Sequence, residues 1–383
     1  MDALNSLGIP RAFEGLADPR QANRTHRFID LLTIALFAVL SGAEDWVNVV
    51  LYGKAKEAWL KTFLELPAGI PSHDTFNRLF ARLAPDAFEQ CFRQWIATLV
   101  ELSGGQLVAI DGKTLRSSFA HAWDKNSMIH MVSAFVQANH LVFAQETCDG
   151  KGGELEAIKK LLSVLDLQGA TVTIDALGCQ KEVAALIVEA KADYLLQVKD
   201  NQPTLKDKLA TLFAEAELEK YQGFTHASAT TVDGDHGRLE TRTAHVLWDV
   251  RHLGPLAQEW AGLKSVALIR RTRELMGADG KPHTSTEDHY YISTFNRRHK
   301  AETFLKTSRG HWSVENNLHW QLDVSFHEDQ RRLHTGHGAE NFSRLCRIAL
   351  ILLKKETAQK VGIASKRNLC AWDNDYLLKV LAG

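Results

Sequence analysis

Three acidic residues in this sequence could perform chemistry together, namely Asp111, Asp175 and Glu315. Asp111 follows the apolar run 106–110, and Asp175 follows the apolar run 171–174. Carboxylate oxygens are the ligands that Mg²⁺ prefers in proteins. Two such ions about 4 Å apart activate an attacking oxygen and stabilise a departing one when a phosphodiester is hydrolysed or exchanged. The three residues therefore predict a divalent-metal site that acts on phosphodiesters.

Each carboxylate also has an ordinary structural interpretation. Aspartate is common at strand ends because its side chain favours the turn that follows, and charged side chains such as glutamate are mostly solvated. The two aspartates together favour the functional interpretation. Both follow apolar strands, where a carboxylate is costly to desolvate unless a metal or a hydrogen bond compensates it. The residues alone leave both interpretations open.

Glu315 has surroundings that favour a partly buried position. One face of the predicted helix carries, in order, Trp312, Glu315, His319 and Leu322. Asp323 and Glu328 are rival candidates for the third ligand. They rank lower because Asp323 lies at the predicted end of the helix and Glu328 lies in a polar connection.

The composition limits the class of protein. A chain of 383 residues should form about two or three domains or lobes, because single cores rarely grow past roughly 250 residues. With 45 basic and 46 acidic residues, any nucleic-acid surface must be a local patch. The five cysteines are scattered and the histidines show no zinc-ligand spacing, so we expect neither disulfides nor zinc, and a cytoplasmic location.

The apolar run Phe28–Leu40 could be mistaken for a targeting or membrane segment. It is too short to span a bilayer, and acidic residues precede it. We therefore predict a buried core helix and no membrane association.

Elements that must position the carboxylates follow from the hydrophobic periodicity. From about Leu31 to Leu102 the pattern is helical, and Pro85 separates two apolar stripes as a tight turn between helices would. This pair of helices is interpreted either as simple packing or as a DNA-reading helix-turn-helix.

After Gly104-Gly105 the pattern changes to alternating strands and helices. The predicted strands are 106–110, 129–137, 140–146, 171–174 and 193–198, with helices at 154–165 and 180–191. Three strands, then helix, strand, helix and strand is the element order of a ribonuclease-H-like α/β domain. In that order Asp111 closes the first strand and Asp175 the fourth, and these strands are neighbours.

The rest of the chain completes the predicted organisation. Residues 201–298 contain alternating Thr- and Val-rich segments that indicate a β-rich insertion, and helical periodicity returns from about Ala301 to Leu322 and from about Ala339 to Glu356. The predicted fold class is α/β, with a ribonuclease-H-like core, a β-rich insertion, a helical N-terminal domain and a helical C-terminal cap. The predicted boundaries are 1–103, 104–200, 201–298 and 299–383.

Basic residues near these elements are candidates for contacts with a phosphate backbone. Two follow the first aspartate, three alternate along a predicted strand and three precede Glu315; in order they are Lys113, Arg116, His236, Arg238, Arg242, Lys306, Arg309 and His311. Arg270, Arg271 and Arg273 form a further basic cluster. For each group, surface salt pairing or solvated charge is the open alternative.

Longer segments of the sequence show a family resemblance. In chain order they are ADPRQ (17–21), LSGAEDW (40–46), GIPSHDTFNRLF (69–80), AIDGKTLR (109–116), HMVSAF (130–135), TIDALGCQKE (173–182), NQPTL (201–205), HGRLETR (236–242), YYIS (290–293), HWSVENNLHWQLDVSFHED (311–329) and AWDNDYLLKVL (371–381). Through them the chain resembles, over nearly its whole length, the ISAs-type or H-repeat-associated family of DDE insertion-sequence transposases. The resemblance implies that the DDE triad falls on Asp111, Asp175 and Glu315.

The same resemblance implies an activity and its partners. It implies Mg²⁺-dependent DNA cleavage and strand transfer, with two Mg²⁺ held by the triad and Mn²⁺ as a substitute. The implied partners are the terminal inverted repeats of the transposon and target DNA, with a homodimer in the complex at the bacterial nucleoid. Two alternatives stay open: a catalytically silent, domesticated DNA-binding protein, and a ribonuclease-H-like nuclease without strand transfer.

One motif departs from the pattern of related transposases. They carry Y-x-x-R-x-x-x-E-x-x-x-x-x-x-K around the glutamate, whereas the three other positions here are Ser308, His311 and Leu322. DNA contacts made by that Tyr, Arg and Lys therefore do not transfer, and Lys306, Arg309 and His311 are the candidates in their place.

Overall fold

The computed structural model describes residues 13, 15–21, 24–99, 106–116, 118, 128–138, 141–149, 151–235, 238–276 and 282–382. Its strands are β1 (Leu107–Thr114), β2 (Ile129–Val136), β3 (Leu141–Asp149), β4 (Thr171–Ile174), β5 (Asp193–Val198), β6 (His226–Asp235), β7 (Arg238–Leu247), β8 (Ser265–Met276) and β9 (Pro282–Ser293). Together they form one nine-stranded sheet in the order β3-β2-β1-β4-β5-β9-β8-β7-β6.

Both parallel and antiparallel pairs occur in this sheet. β1 is antiparallel to β2 and parallel to β4, and β4 is parallel to β5. β5 then pairs antiparallel with β9, which joins the four strands of the predicted insertion to the same sheet. The fold is therefore mixed α/β, and the insertion extends the central sheet.

Helices cover the faces of the sheet and both ends of the chain. They are α1 (Phe28–Leu40), α2 (Trp46–Ala55), α3 (Glu57–Leu60), α4 (His73–Arg82), α5 (Pro85–Leu99), α6 (Glu154–Val164), α7 (Lys181–Glu189), α8 (Pro203–Leu218), α9 (Ala301–His311), α10 (Trp320–Val324), α11 (Gly338–Lys355), α12 (Ile363–Trp372) and α13 (Asn374–Ala382). A 3₁₀ segment spans Val250–Glu259 and a π-helical segment spans Glu315–His319.

The first hydrophobic core joins the two ends of the chain. Residues of α1, α2, α4 and α5 pack with residues of α11 and α13, and Ala109 and Phe135 of the sheet close the cluster. Every residue from Asp30 to Leu40 in α1 is buried, which confirms the predicted core helix. Helices from the predicted N-terminal and C-terminal segments thus share one core.

A second and a third core lie against other parts of the sheet. Val108, Ile110 and Val172 face the second core, where they pack with residues of α6, α7 and α8. In the third core, residues of β7 and β8 pack with Phe304 and Leu305 of α9. Because side chains alternate along a strand, Ala109 and Val108 point to opposite faces and the sheet separates the first two cores.

The helix pair at Pro85 packs as the apolar stripes predict. Pro85 is the first residue of α5, where its missing N–H is not needed. Phe76, Phe80, Phe88 and Phe92 are all buried in the first core. DNA reading by this pair stays a prediction.

Asp111 does not close its strand as predicted. β1 continues to Thr114 because β2 keeps pairing with it, with Asp111 opposite Ser133. Pairing with β4 ends at Ile110, opposite Ile174. Asp111 therefore lies inside β1 at the point where the neighbouring strand β4 stops. From Asp111 onward, β1 has no strand partner on the β4 side among the described residues.

The helix predicted from Ala301 to Leu322 is interrupted. α9 ends at His311 and the π-helical segment follows before α10. A π turn holds more residues than an α turn, so it changes which side chains share a face. His319 and Leu322 are buried, but Trp312 is 57% exposed and Glu315 is exposed as well. The prediction of a partly buried position is therefore wrong for both Trp312 and Glu315.

Among the described residues, no helix combines the length and apolar character needed to cross a membrane.

Asn341 links α11 to the end of α4 and provides a test of the shared core. Its side-chain amide donates to the carbonyl oxygens of Phe80 at 2.8 Å and Leu83 at 3.0 Å, and Asn341 is fully buried. Asn341→Ala should lower the free energy of unfolding by about 2–4 kcal/mol, because two buried carbonyls lose their donor. Urea denaturation followed by circular dichroism measures the change. Asn77→Ala, on the half-buried side of α4, should change it by less than about 0.5 kcal/mol; equal effects would contradict the argument.

Candidate active site and basic groove

The three predicted carboxylates lie on one face of the sheet. Asp111 is on β1, Asp175 follows β4 directly, and Glu315 begins the π-helical segment. Pairing of Ala109 with Thr173 puts the side chains of Asp111 and Asp175 on the same face by alternation. α9 covers this face.

Asp111 and Glu315 form a close cluster with His319. The potential ligand atoms of these three residues all lie within 4.8 Å of one another. The Asp111 carboxylate is 3.4 Å from Nδ1 of His319. Asp175 accepts backbone hydrogen bonds from Leu177 at 3.1 Å and Gly178 at 3.4 Å, which fix its orientation beside the cluster.

Ionisation of both aspartates is unfavourable in this environment. Burial, followed by the charges of Asp175 and Glu315, raises the pKa of Asp111 to about 7. Burial and the charge of Glu154 also raise the pKa of Asp175, against the opposing effect of its hydrogen bonds and of Lys199. A cation bound here would relieve both costs.

His319 enters the site as a neutral side chain. Burial, with smaller contributions from Arg347 and Lys113, lowers the pKa of His319 to about 3. Its Nε2 is buried and has no hydrogen-bond partner among the described residues. His319 was placed on the face of Glu315 from the sequence, but its approach to Asp111 was not predicted.

Glu154 is a fourth acidic residue near the site, and the sequence did not single it out. Its carboxylate lies 3.2 Å from Nε2 of His130, and both residues are buried. A Cβ at Gly112 would overlap with the side chains of Glu154 and His130. Gly112, which follows Asp111, is therefore needed for close approach of this pair. The only signal in the sequence was a glutamate at the start of an amphipathic helix.

The rival ligands are held in other contacts. Asp323 lies 2.6 Å from Nζ of Lys113. Glu328 is buried, where it accepts from Ser343 at 2.6 Å and Arg347 at 3.0 Å. Neither belongs to the cluster around Asp111.

Some of the predicted phosphate contacts are engaged elsewhere. Lys113 is 8% exposed and forms ion pairs with Asp323 and, at 3.3 Å, with Asp329. This is the salt pairing that the sequence left open. Arg116 is largely exposed and lies 3.3 Å from Asp329. His236 lies outside the described residues.

His311 contacts the sheet through its ring. Its Nδ1 lies 3.1 Å from the hydroxyl oxygen of Thr173. Burial, and then the charge of Lys199, lowers the pKa of His311 to about 4. The side chain is therefore neutral near pH 7 in the protein without DNA. Its contact with a phosphate stays a prediction.

Arg270 pairs with Glu217 and Asp288, both at 2.8 Å. The other predicted basic residues meet in a groove of about 630 Å³ beside the carboxylates. The basic side chains that line it are Arg238, Arg242, Arg271, Arg273, Lys306 and Arg309. Buried Glu240 pairs with Arg242 and, at 2.8 Å, with Arg273, and Arg309 pairs with Asp233. Arg238 and Lys306 form no ion pair within the described part of the chain. We refer to this surface as the basic groove.

Replacement of Asp111 should stabilise the metal-free protein in a pH-dependent way. Its pKa rises from the ordinary value of 3.8 to about 7, so the folded chain holds the proton more tightly and loses stability as the pH rises between these values. In EDTA, Asp111→Asn should raise the free energy of unfolding by about 2–4 kcal/mol at about pH 8, and by much less at about pH 4. Urea denaturation at both pH values measures this. Exposed Asp207→Asn is the control; a gain for Asp111→Asn that is independent of pH would refute the assignment.

Comparisons with known proteins assign the family. The family described as Transposase DDE domain matches residues 102–352, and DDE_Tnp_1-associated matches residues 11–96. The H repeat-associated putative transposase YhhI of Escherichia coli K12 is 36% identical over 362 residues, covering 94% of this chain and 93% of the relative. The putative transposase YncI of Escherichia coli O157:H7 is 37% identical over 372 residues, covering 96% and 92%.

A solved piggyBac transposase synaptic complex with hairpin DNA is 11% identical, with a TM-score of 0.39, and covers 98% of this chain and 81% of that chain. The two family matches and the relatives from Escherichia coli confirm the resemblance predicted from the sequence motifs. The chain belongs to the DDE transposase family, together with its H repeat-associated members.

Proposed function

We propose that this transposase cleaves DNA at the ends of its insertion sequence and joins them to target DNA, with divalent metal ions, Mg²⁺ or in its place Mn²⁺. The observation that carries the proposal is the close approach of Asp111 and Glu315, with Asp175 beside them on the same face of the sheet and the basic groove next to them. Residues from three distant parts of the sequence come together there. Because like charges repel, bringing these carboxylates together costs free energy, and binding a common cation would compensate that cost.

The proposed core is ribonuclease-H-like. Its first five strands have the order β3-β2-β1-β4-β5, with β2 antiparallel to β1 and with β1, β4 and β5 parallel. The predicted element order between residues 106 and 198 supports the same assignment. The strands β6 to β9 then form the proposed insertion domain between β5 and the segment of Glu315.

The donor set fits hard divalent ions. Asp111 and Asp175 would hold two ions between them, and Glu315 would complete one coordination sphere. Bound ions of this kind activate an attacking oxygen and stabilise a departing one. His319 would help to position Asp111, because Nδ1 of its neutral ring lies 3.4 Å from that carboxylate.

The basic groove provides the DNA surface in this proposal. Arginine and lysine neutralise backbone phosphates without reading the base sequence. Glu240 holds Arg242 and Arg273 in place, so their guanidinium groups are ordered before DNA arrives. The proposed partners are DNA from the terminal inverted repeats and the target, and a homodimer would join two ends at the bacterial nucleoid.

A nuclease that cuts without joining is the second candidate function, because it would use the same carboxylates. Strand transfer of a cleaved 3′ end into a second duplex separates the two. A catalytically silent descendant is disfavoured because all three carboxylates are present and lie together.

Conservative replacement of the carboxylates should abolish cleavage. Asp111→Asn, Asp175→Asn and Glu315→Gln should each lower the rate of Mg²⁺-dependent nicking by about 10³-fold or more, since the loss of a ligand removes several kcal/mol of transition-state stabilisation. The measurement is cleavage of a labelled duplex that carries the inverted repeat flanking the coding region.

Asp323→Asn is the matched control for these variants. Asp323 lies close to the site but pairs with Lys113, so its replacement should leave nicking within about tenfold of the wild-type rate. Full activity in the three carboxylate variants, or a loss confined to Asp323→Asn, would refute the proposed site.

The two unpaired cations of the basic groove give a separate test. The double variant Arg238→Gln and Lys306→Gln should weaken duplex binding and reduce the slope of log K against log salt by about 2, because each lost phosphate contact contributes about 0.9. Fluorescence anisotropy over a range of salt concentrations measures the slope. Arg251→Gln, at a position 89% exposed and away from the groove, should leave it unchanged; an unchanged slope in the double variant would exclude the groove as the DNA surface.

A further inference from the structure

The segment that follows β5 lies next to the loop that begins with Asp175. It contains Lys199 and the first two residues of the NQPTL motif, Asn201 and Gln202. The side chain of Asn201 donates to the carbonyl oxygen of Ala176 at 2.6 Å. The side chain of Gln202 donates to the carbonyl oxygen of Cys179 at 3.0 Å. These bonds tie the loop after β5 to the loop that begins with Asp175.

The register of the sheet places Lys199 beside the carboxylates. β4 and β5 run parallel with Ile174 opposite Leu196, so Gln197 is the neighbour of Asp175 and Lys199 lies two residues further on. Residues two apart share a face of a strand. Gln197 lines the basic groove, so Lys199 lies on the face that carries both the groove and Asp175.

The charge of Lys199 acts on groups from three surrounding elements. It opposes the effect of burial on the pKa of Asp175 after β4. It adds to burial in lowering the pKa of His311 at the end of α9, and it has a smaller effect in the same direction on His289 of β9. These effects agree with the position that the register gives.

Lys199 differs from Lys113, a lysine of β1 on the same face, because its side chain is exposed and has no ion pair with a described residue. Lys113 is buried and held by two aspartates. Lys199 is exposed, and its ammonium group has no ion-pair partner in the described ranges of the chain. Its backbone is nevertheless fixed by Asn201 and Gln202. An unpaired cation on a fixed loop needs no ion pair to be broken before it binds an anion.

We propose that Lys199 binds a backbone phosphate of the DNA at the reacting end, and that the loop of Asn201 and Gln202 holds it at a set position relative to Asp175. The proposal rests on the proposed function and identifies a further substrate contact of that site. Lysine suits this task because its ammonium group is a compact point charge with three donors. A phosphate bound by Lys199 would lie beside Asp175, on the face of the sheet that also carries the basic groove.

Two variants of Lys199 test the contact. Lys199→Gln should reduce the salt slope of binding to a plain duplex oligonucleotide by about 0.9, and should reduce the rate of end-DNA nicking at saturating DNA by about tenfold or more. Lys199→Arg should restore the salt slope and part of the nicking rate, because it keeps the charge with a different shape. Lys360→Gln, a change of an exposed lysine in the loop between α11 and α12, is the matched control and should leave both quantities unchanged.

The readouts separate failure of this inference from failure of the proposed function. If Asp111→Asn abolishes nicking while Lys199→Gln keeps the wild-type rate and salt slope, the Lys199 contact is refuted and the proposed function stands. If the wild-type protein neither nicks the end DNA nor binds duplex DNA with a salt dependence, both are refuted. Urea denaturation should give the same free energy of unfolding for Lys199→Gln and wild type; a large drop would identify a structural role and overturn the proposal.

Discussion

Burial of Asp111 beside two other carboxylates is the constraint that the rest of this structure must satisfy. Asp111 is removed from water close to Asp175 and Glu315, and its pKa rises to about 7. Such a group stays in place only if its backbone cannot move away. β1 provides this rigidity, because β2 pairs with it on one side, β4 on the other, and hydrophobic cores pack against both faces. The charge repulsion that raises the pKa of Asp111 is also the reason why a bound cation would stabilise this cluster.

The sheet also explains how a chain with no excess of positive charge presents a basic surface. β9 pairs with β5, so the strands of the insertion continue the sheet that carries the aspartates. β7 and β8 then bring their arginines to the side of the carboxylates, and α9 adds Lys306 and Arg309. Glu240 and Asp233 neutralise part of this charge, and the other acidic residues that balance the total lie outside the groove lining. The uneven distribution of charge along one sheet therefore gives a basic surface to a chain whose total charge is close to zero.

The sequence predicted the elements with strong local signals and missed those fixed by distant contacts. β4 and β5 have the predicted bounds, 171–174 and 193–198, because each is a short apolar run between clear breaks. The π-helical segment was missed because its residues continue a helical pattern. The pairing of Lys113 with Asp323 was left open because 210 residues separate them. The contact between Glu154 and His130 was also missed, because it depends on strand register.

Glu315 is positioned by the opposite end of the chain. Val314, Leu318 and Leu322 flank it, and all three are buried in the core that contains α1 and α4. Their burial fixes the rotation of the π-helical segment, and with it the direction of the Glu315 and His319 side chains. The N-terminal helices thus set the geometry of a carboxylate more than two hundred residues away, whether or not they touch DNA. The position of the third carboxylate depends on tertiary packing, whereas the positions of the first two depend on the sheet. For this reason the sequence singled out Glu315 through its helical context and family motif and not through the end of a strand.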